Sequence, residues 1–387
     1  MNGSTAPVES TVRVFREWEQ IRAEAGDWNQ LAGGNFMLRT EWLQSWWEAF
    51  RNPGDQLAVI AWSDPARGWR GLLPGFVTRG LLGRTYRLLG SGNVCTDYVR
   101  LLESEVEQTG FAQLAAKCLT SPSFRQAFGR LDAVELEGQL QGEPSLGNLA
   151  SGLREAGWVE EERELAGTWR VKLPGTLEEF IAQLPKSRRR KVNKARRLLA
   201  EGQVSYEAIW DWPRIDSMWS EFVRLHQKRR KVMGQPGCFF DPRFGKFLRS
   251  AVQRFSEREG CCMGVLWASG QPVGMNLIFL EGTTANMYQS GMEPERSELE
   301  PGHLMNYFTM GTAIERGAEW FDFLRGDEPY KEGWGAERQV LCRKRLFAPH
   351  LSARLRQTAL AAGRGIKAWS ASWLSQPGES PVVNSGD

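Results

Sequence analysis

Residues 261–292 read CCMGVLWASGQPVGMNLIFLEGTTANMYQSGM. Three apolar runs of strand length are separated by SGQP and EGTT. Those residues supply the backbone freedom of tight turns, so the segment predicts an antiparallel meander. Pro301-Gly302 then opens a helix with Leu304, Tyr307, Phe308, Gly311 and Ile314 on one side and Gly317 at its end. The strand AEWFDFL (318–324), a polar loop within FDFLRGDEPYKEGWGAE (321–337) and the strand RQVLCRKRLF (338–347) follow. Upstream lie a short helix (176–184), a basic helix from an N-cap at Ser187 to Leu199, a strand (204–210) and helices near 213–231 and 241–258.

The first 150 residues read as a looser version of the same plan. A helical pattern runs around Val14–Leu31, and TEWLQSWWEAF begins at Thr40 with Trp42, Trp46 and Ala49 on one face. QLAVIAW (56–62) and WRGLLPGFV (69–77) form a hairpin about SDPARG. Strands at YRLLG (86–90) and DYVRLL (97–102), a helix near 107–119, a strand near 130–136 and a loop over 138–145 complete it. The expectation is two related α+β units, a size that suits 387 residues, since one domain is typically about 100–200. The boundaries fall at 8–150 and 151–348, with a helix over 349–374 and a disordered Pro/Gly-rich tail over 375–387.

A net charge of +3 says little about partners, so electrostatic reasoning rests on local clusters. The six cysteines match neither a zinc ribbon nor a redox pair, and three histidines argue against a metal site. Reduced thiols, the absence of a signal-peptide pattern in MNGSTAPVES and the lack of any stretch near the roughly 20 apolar residues of a membrane span predict a soluble, cytoplasmic protein. Cys261-Cys262 opens an apolar strand, where thiols are packing groups, and no nucleophile elbow or P-loop is present.

Between Lys186 and Arg197, eight of twelve residues are Lys or Arg. Val192, Ala195 and Leu199 form a narrow docking stripe, leaving the charges to a solvated face or to an anion cradle. Arg188, Arg189 and Lys191 are its candidate ligands, for CoA phosphates, a tRNA acceptor end or a pyrophosphate-linked glycolipid.

PKSRRRKVNKARRLL, the meander ending YQSGMEPERSELEPGHLM, and AIERGAEWFDFLRGDEPYKEGWGA together resemble the GNAT-superfamily acyltransferase domain associated with bacterial cellulose and exopolysaccharide gene clusters. That domain is similar to the Fem-type peptidoglycan aminoacyltransferases, which carry two GNAT-like domains in tandem. The resemblance spans about 150–345 and extends more weakly over the first half. It implies two tandem GNAT-like domains, the first degenerate, each a mostly antiparallel mixed sheet flanked by helices. It also implies transfer of an acyl group from acyl-CoA (acetyl-CoA), a cosubstrate and not a resident cofactor, to an amine or hydroxyl of an envelope or exopolysaccharide acceptor. Aminoacyl-tRNA is the alternative donor, and a non-catalytic protein binding anionic glycans the alternative class.

In a GNAT domain the donor pyrophosphate sits at a helix N-terminus, which places it here at Arg296, Pro301, Gly302, His303 and Leu304. The usual Gly-rich loop is absent. His303 in that first turn is also a candidate base, its pKa lowered by the helix dipole. A GNAT substrate cleft lies at the end of the following strand, which assigns Asp322 and Arg325 to substrate. Asp327 and Glu328 are candidates to hold or deprotonate an acceptor amine, and Lys331 to stabilise an oxyanion or hold a donor phosphate. Tyr330-Lys331 with Trp334-Gly335 resembles an aromatic-Lys…aromatic-Gly segment of Fem-type enzymes; Tyr330 and Trp334 would line one wall of the groove if the stretch is helical. An ion-pair network of Arg325 with Asp327 or Glu328 that merely braces the loop is the competing reading.

Overall fold

The computed structural model describes residues 11–22, 25–64, 68–103 and 110–360. The meander is present: Cys261–Ala268, Gln271–Glu281 and Thr284–Met292 pair antiparallel in order. Val204–Ile209 extends it at one edge. Beyond Thr284–Met292 the strand Trp320–Arg325 runs parallel, because the helix Pro301–Glu315 crosses between them and returns the chain to the same end. Thr168–Lys172 and Glu337–Gln339 complete seven strands, giving a mixed, mostly antiparallel sheet flanked by helices.

Each face of this sheet has its own apolar cluster. Under the basic helix Lys186–Ala200 and the helix Pro301–Glu315, Val192, Leu198 and Met310 bury with Cys262, Ile278 and Phe321. The opposite face carries the long helix Trp212–Val232 and the helix Pro242–Ser256, whose Phe222, Phe247 and Phe255 meet Met275 and Phe279. Asp211 and Asp241 cap these two helices by accepting from the N–H groups of Arg214 and Arg243, at 3.1 and 3.0 Å. The basic helix begins at Lys186 after Pro185, so Ser187 lies in its first turn and is not the expected N-cap.

The first half builds two sheets. One orders Thr11–Phe15, Val59–Asp64, Gly68–Leu73 and Leu102–Glu103; the other orders Gln56–Leu57, Gly75–Gly80, Gly83–Leu88, Ala133–Leu140, Leu341–Phe347 and Val159–Glu164. The expected hairpin pairs Ile60 with Leu73, and both of its arms break, near Ala58 and at Pro74, where the chain passes from one sheet to the other. Val14 belongs to a strand and not to a helix, as the alternation in TVRVF favours. DYVRLL is irregular up to Leu101, since Cys95 and Tyr98 take left-handed φ of 51° and 58°. The strand at Ala133 runs on to Leu140 and a helix starts at Pro144, so most of 138–145 is not loop.

The largest departure is at the boundary. Leu341–Phe347, expected to close the second unit, instead lies between Ala133–Leu140 and Val159–Glu164 in the first-half sheet. Complementary charge directs it there: Lys344 Nζ lies 2.5 and 2.6 Å from Glu160 and Glu162, and Arg345 pairs with Glu135. A cut at 150/151 therefore runs through one continuous sheet. The two halves also share a core, in which Trp42 of the helix Thr40–Phe50 meets Phe247, Phe279 and Tyr288 at 4.7, 5.6 and 5.0 Å. Residues 351–360 are helical; the rest of the expected C-terminal helix, the tail 375–387 and residues 1–10 lie outside the described residues. No helix among the described residues is long and apolar enough to cross a membrane.

Candidate active-site cleft

The cleft exists because two parallel strands part. Thr284–Met292 and Trp320–Arg325 pair only at Thr284, Ala285 and Asn286. Two residues later Tyr288 is the extra residue of a bulge against Leu277 and Ile278, which bends the strand. On the other strand Leu324 has φ of 56°, and its N–H donates to the Asp322 carboxylate at 2.7 Å. Past Asn286 the backbone edge of Thr284–Met292 has no strand beside it. A cavity of about 370 Å³ opens there, lined by Ser290–Met292, the helix start Pro301–His303, Met305, Asn306, Arg229 and Tyr330, among others.

At the helix start Glu300 is left-handed, with φ of 55°, and offers no side-chain cap to the N–H groups that follow. Gly302 packs so tightly on Met292 that a Cβ would lie 3.2 Å from its Cε. The basic helix docks against this point. Lys191 Nζ lies 2.6 Å from Glu300 and 2.9 Å from His303 Nε2, Lys194 reaches the other Glu300 oxygen at 3.2 Å, and Arg188 contacts His303 Nδ1. Burial, then the charges of Arg188 and Lys191, push the His303 pKa down to about 4, so the ring is neutral at pH 7 and can accept from only one of the two cations. The bonds from Lys191 and Lys194 hold Glu300 below the usual carboxylate range. Arg188, Lys191 and His303, candidates from two separate segments of the sequence, meet at one place, whereas Arg189 turns away to the Ala182 carbonyl at 3.1 Å.

Other candidates lie elsewhere. Arg296 is bonded to Glu298 at 2.8 Å outside the cleft, and Leu304 is buried in the core beneath the helix. Asp322 and Arg325 hold the halves together. Tyr98 donates to Asp322 and lies 2.8 Å from the Thr168 hydroxyl, while Arg325 pairs with Asp97 at 2.6 Å. Burial raises both Asp97 and Asp322 to about 6, against the opposing pull of Arg325 on the first and Tyr98 on the second. Asp327 braces its loop by accepting from Arg338 at 2.9 Å and Trp169 at 3.1 Å, and these bonds lower its pKa.

Lys331 is turned inward at 2% exposure. Its ammonium donates to the carbonyls of Leu324 and Gly326, at 3.1 and 2.8 Å, and pairs with Glu328 at 2.9 Å. Facing a donor is not what this side chain does; it ties the loop to the end of its strand. Only residues 332–334 form a helical turn, so Tyr330 and Trp334 do not share a wall. Trp334 is buried, stacked on Phe180, with the Arg188 guanidinium 4.9 Å from its ring, and Tyr330 alone faces the cleft.

Sequence reasoning missed Arg229. It projects from the last turn of the long helix into the cleft and donates to Ser290 Oγ at 3.0 Å. No carboxylate among the described residues lies within ion-pair distance of it, and burial lowers its pKa. Within KRRK (228–231) no pattern distinguishes the one cation that faces inward. Among the described residues no His, Cys, Asp and Glu cluster is placed to hold a metal ion.

A bulged, splayed strand pair followed by a helix whose N-terminus points into the gap defines a fold of the GNAT acyltransferase type. Residues 186–332 match the family described as the acetyltransferase (GNAT) domain, a span that carries both the basic helix and the cleft. No curated protein sequence matches the chain. Among solved structures it is similar to FemX, at 12% identity and TM-score 0.59 over 83% of this chain and 93% of that one. It is also similar to a conserved protein of unknown function from Bacteroides thetaiotaomicron VPI-5482, at 13% identity and TM-score 0.55 over 87% and 100%. L-PGS from Bacillus licheniformis aligns at 11% identity and TM-score 0.52 over 91% and 97%.

Proposed function

We propose that the cleft binds an acyl-CoA and transfers its acyl group to an amine by direct attack. The observation that carries this reading is the unpaired edge of Thr284–Met292 running into the N-terminus of Pro301–Glu315, with Lys191 and Arg188 beside it. A free strand edge suits an amide-bearing arm, which adds to it as a further strand would. The helix start, with its unpaired N–H groups and positive dipole end, suits the pyrophosphate. When the amine attacks the thioester carbonyl the C–S bond breaks, Tyr330, whose pKa burial and the nearby Glu328 push up to about 12, gives its proton to the departing thiolate, and the tyrosinate regains one from the nitrogen as the amide forms. His303 is neutral but held between two cations, which suits it to positioning phosphate ligands more than to taking a proton from the acceptor. Asp327 and Glu328 are engaged in ion pairs of their own.

Arg229 is the natural anchor for an anionic group on the ligand. A half-buried cation without a counter-ion is costly until one arrives. An envelope or exopolysaccharide precursor as acceptor rests on the sequence resemblance alone.

Aminoacyl-tRNA is the second reading, favoured by exposed Lys186 and Arg190, cations that extend the basic helix beyond the cleft. Melting curves with CoA, acetyl-CoA and charged tRNA separate the two. A ligand at 100 times its dissociation constant adds about 2.7 kcal/mol to stability. Stabilisation by CoA and acetyl-CoA is expected; stabilisation by charged tRNA alone would transfer the chain to the second reading, and none from any donor would favour a binding protein.

A further inference from the structure

Seven large apolar side chains are exposed among the described residues, and three of them fall within nine positions: Val232 at 71%, Met233 at 50% and Phe240 at 76%. They sit on the turn joining the long helix to Pro242–Ser256. That turn is firmly built. Gly234 and Gln235 close it by donating to the carbonyls of Lys231 and Arg230, at 3.0 and 2.9 Å, and Gln227 Nε2 donates back to the Pro236 carbonyl at 3.0 Å. Phe239 anchors its far end, with ring centroids 5.2 Å from Phe244 and 5.0 Å from His226. Phe240, next in sequence, is thereby pointed outward. The apolar tip is a fixed feature, exposed on a framework that had buried partners to offer.

The turn itself carries cations without carboxylate partners. Lys231 is exposed with no partner among the described residues, and Arg230 is bonded only to the neutral Gln235, at 2.8 Å. The nearby acids each face a cation of their own surroundings and not those of the turn: Asp241 pairs with Arg243 at 2.8 Å, Glu293 and Glu295 share Lys228 at 2.6 and 3.0 Å, and Glu293 also meets Arg224 at 3.3 Å. Aromatic and aliphatic side chains projecting singly beside unpaired Lys and Arg fit the boundary of an anionic bilayer, where the apolar groups enter the acyl region and the cations meet headgroup phosphates. A protein partner would need a patch of about 800 Å² of contiguous surface, which three side chains on one turn do not provide.

We infer that the 232–240 turn docks this protein on anionic membrane surfaces and holds the mouth of its cleft against them. Arg229, which lines the cleft, lies one residue from Arg230, so docking there brings the bilayer close to the Arg229 end of the cleft. The class of acceptor this implies is an amphiphile with an anionic or phosphate-bearing head, presented in the membrane plane. That last step rests on the transferase reading; the docking itself does not.

The test is vesicle co-sedimentation of the full chain, with phosphatidylcholine alone and with equal parts phosphatidylglycerol, alongside the double variant Val232→Asp/Phe240→Asp. Both side chains are exposed, so the variant should melt as the parent does, and the CoA-induced melting shift is read in parallel. Binding to the mixed vesicles but not to phosphatidylcholine is expected, weakened by salt, with the variant partitioning at least roughly tenfold less. Failure of the parent to bind mixed vesicles, equal binding to both vesicles, or undiminished binding by the variant would each overturn the inference, the first leaving a protein partner as occupant. A parent that binds vesicles but shows no CoA shift would instead overturn the donor reading alone.

Discussion

Arg229 and Lys331 are both cations near the cleft, and their surroundings give them opposite roles. Arg229 keeps a free guanidinium face toward the cavity, so Arg229→Met should raise KM for an anionic substrate by roughly 10- to 100-fold while leaving the melting temperature unchanged or higher. A fall in stability with unaltered KM would show that it only fastens Ser290. Lys331 has its hydrogens committed to two carbonyls and a carboxylate. Lys331→Met should therefore cost about 1–3 kcal/mol of stability, read by denaturant titration, through acceptors left buried and unpaired. Loss of turnover without loss of stability would restore to it a part in the chemistry. The sequence singles out Lys331 for the wrong task and passes over Arg229 as one charge among four. Whether a lysine donates inward depends on where Leu324 and Gly326 point their carbonyls, and a left-handed leucine is not a feature that composition or periodicity announces.

At the scale of elements, the meander and the Pro-Gly helix start were legible because each is a local pattern: turn residues between apolar runs, and a proline where an N–H is dispensable. The separation of Thr284–Met292 from Trp320–Arg325 was not, since it arises from one extra residue at Tyr288 and from contacts that the first half makes with both strands. Tyr98 bonds Asp322, and Tyr288 donates to the Val94 carbonyl at 2.8 Å. The long helix carries a pH response of its own. Burial pushes His226 down to about 4, so its contribution to stability is complete above the ordinary histidine pKa of about 6.5 and is lost as pH falls from there toward 4. Asp97 and Asp322, raised to about 6, act in the opposite sense, easing the fold as they take up protons below that value. His226→Gln should flatten the acid limb of the stability profile by up to roughly 3 kcal/mol between pH 6.5 and 4. An unchanged limb in urea titrations across that range would place the sensitivity elsewhere.

For the whole molecule, the shared core and the strand Leu341–Phe347 make one cooperative unit out of two similar halves. Trp42→Ala removes the ring between Phe247, Phe279 and Tyr288 and should cost about 3–5 kcal/mol. Calorimetry should then show a single transition moved down in temperature; two separate transitions would mean that the halves fold independently. Residues 151–348 expressed alone should be insoluble or uncooperative, because Val159–Glu164 and Leu341–Phe347 would lack Ala133–Leu140. Two related units were readable from the order of elements. Their interlocking was not, although the acidic VEEERE and the basic RKR that pair across it stand in plain view. Complementary strands so distant in sequence are linked only by topology.

That interlocking sets a timetable for synthesis. Ala133–Leu140 leaves the ribosome early and must wait with one edge open until the chain has been made through Phe347, when its missing neighbour emerges. An unpaired strand edge is a template for wrong partners, and the interval is long at the roughly 5–20 residues per second of translation. The nascent first half is thus the stage at which this protein most depends on protection, and slow codons placed before residue 341 would lengthen the exposure.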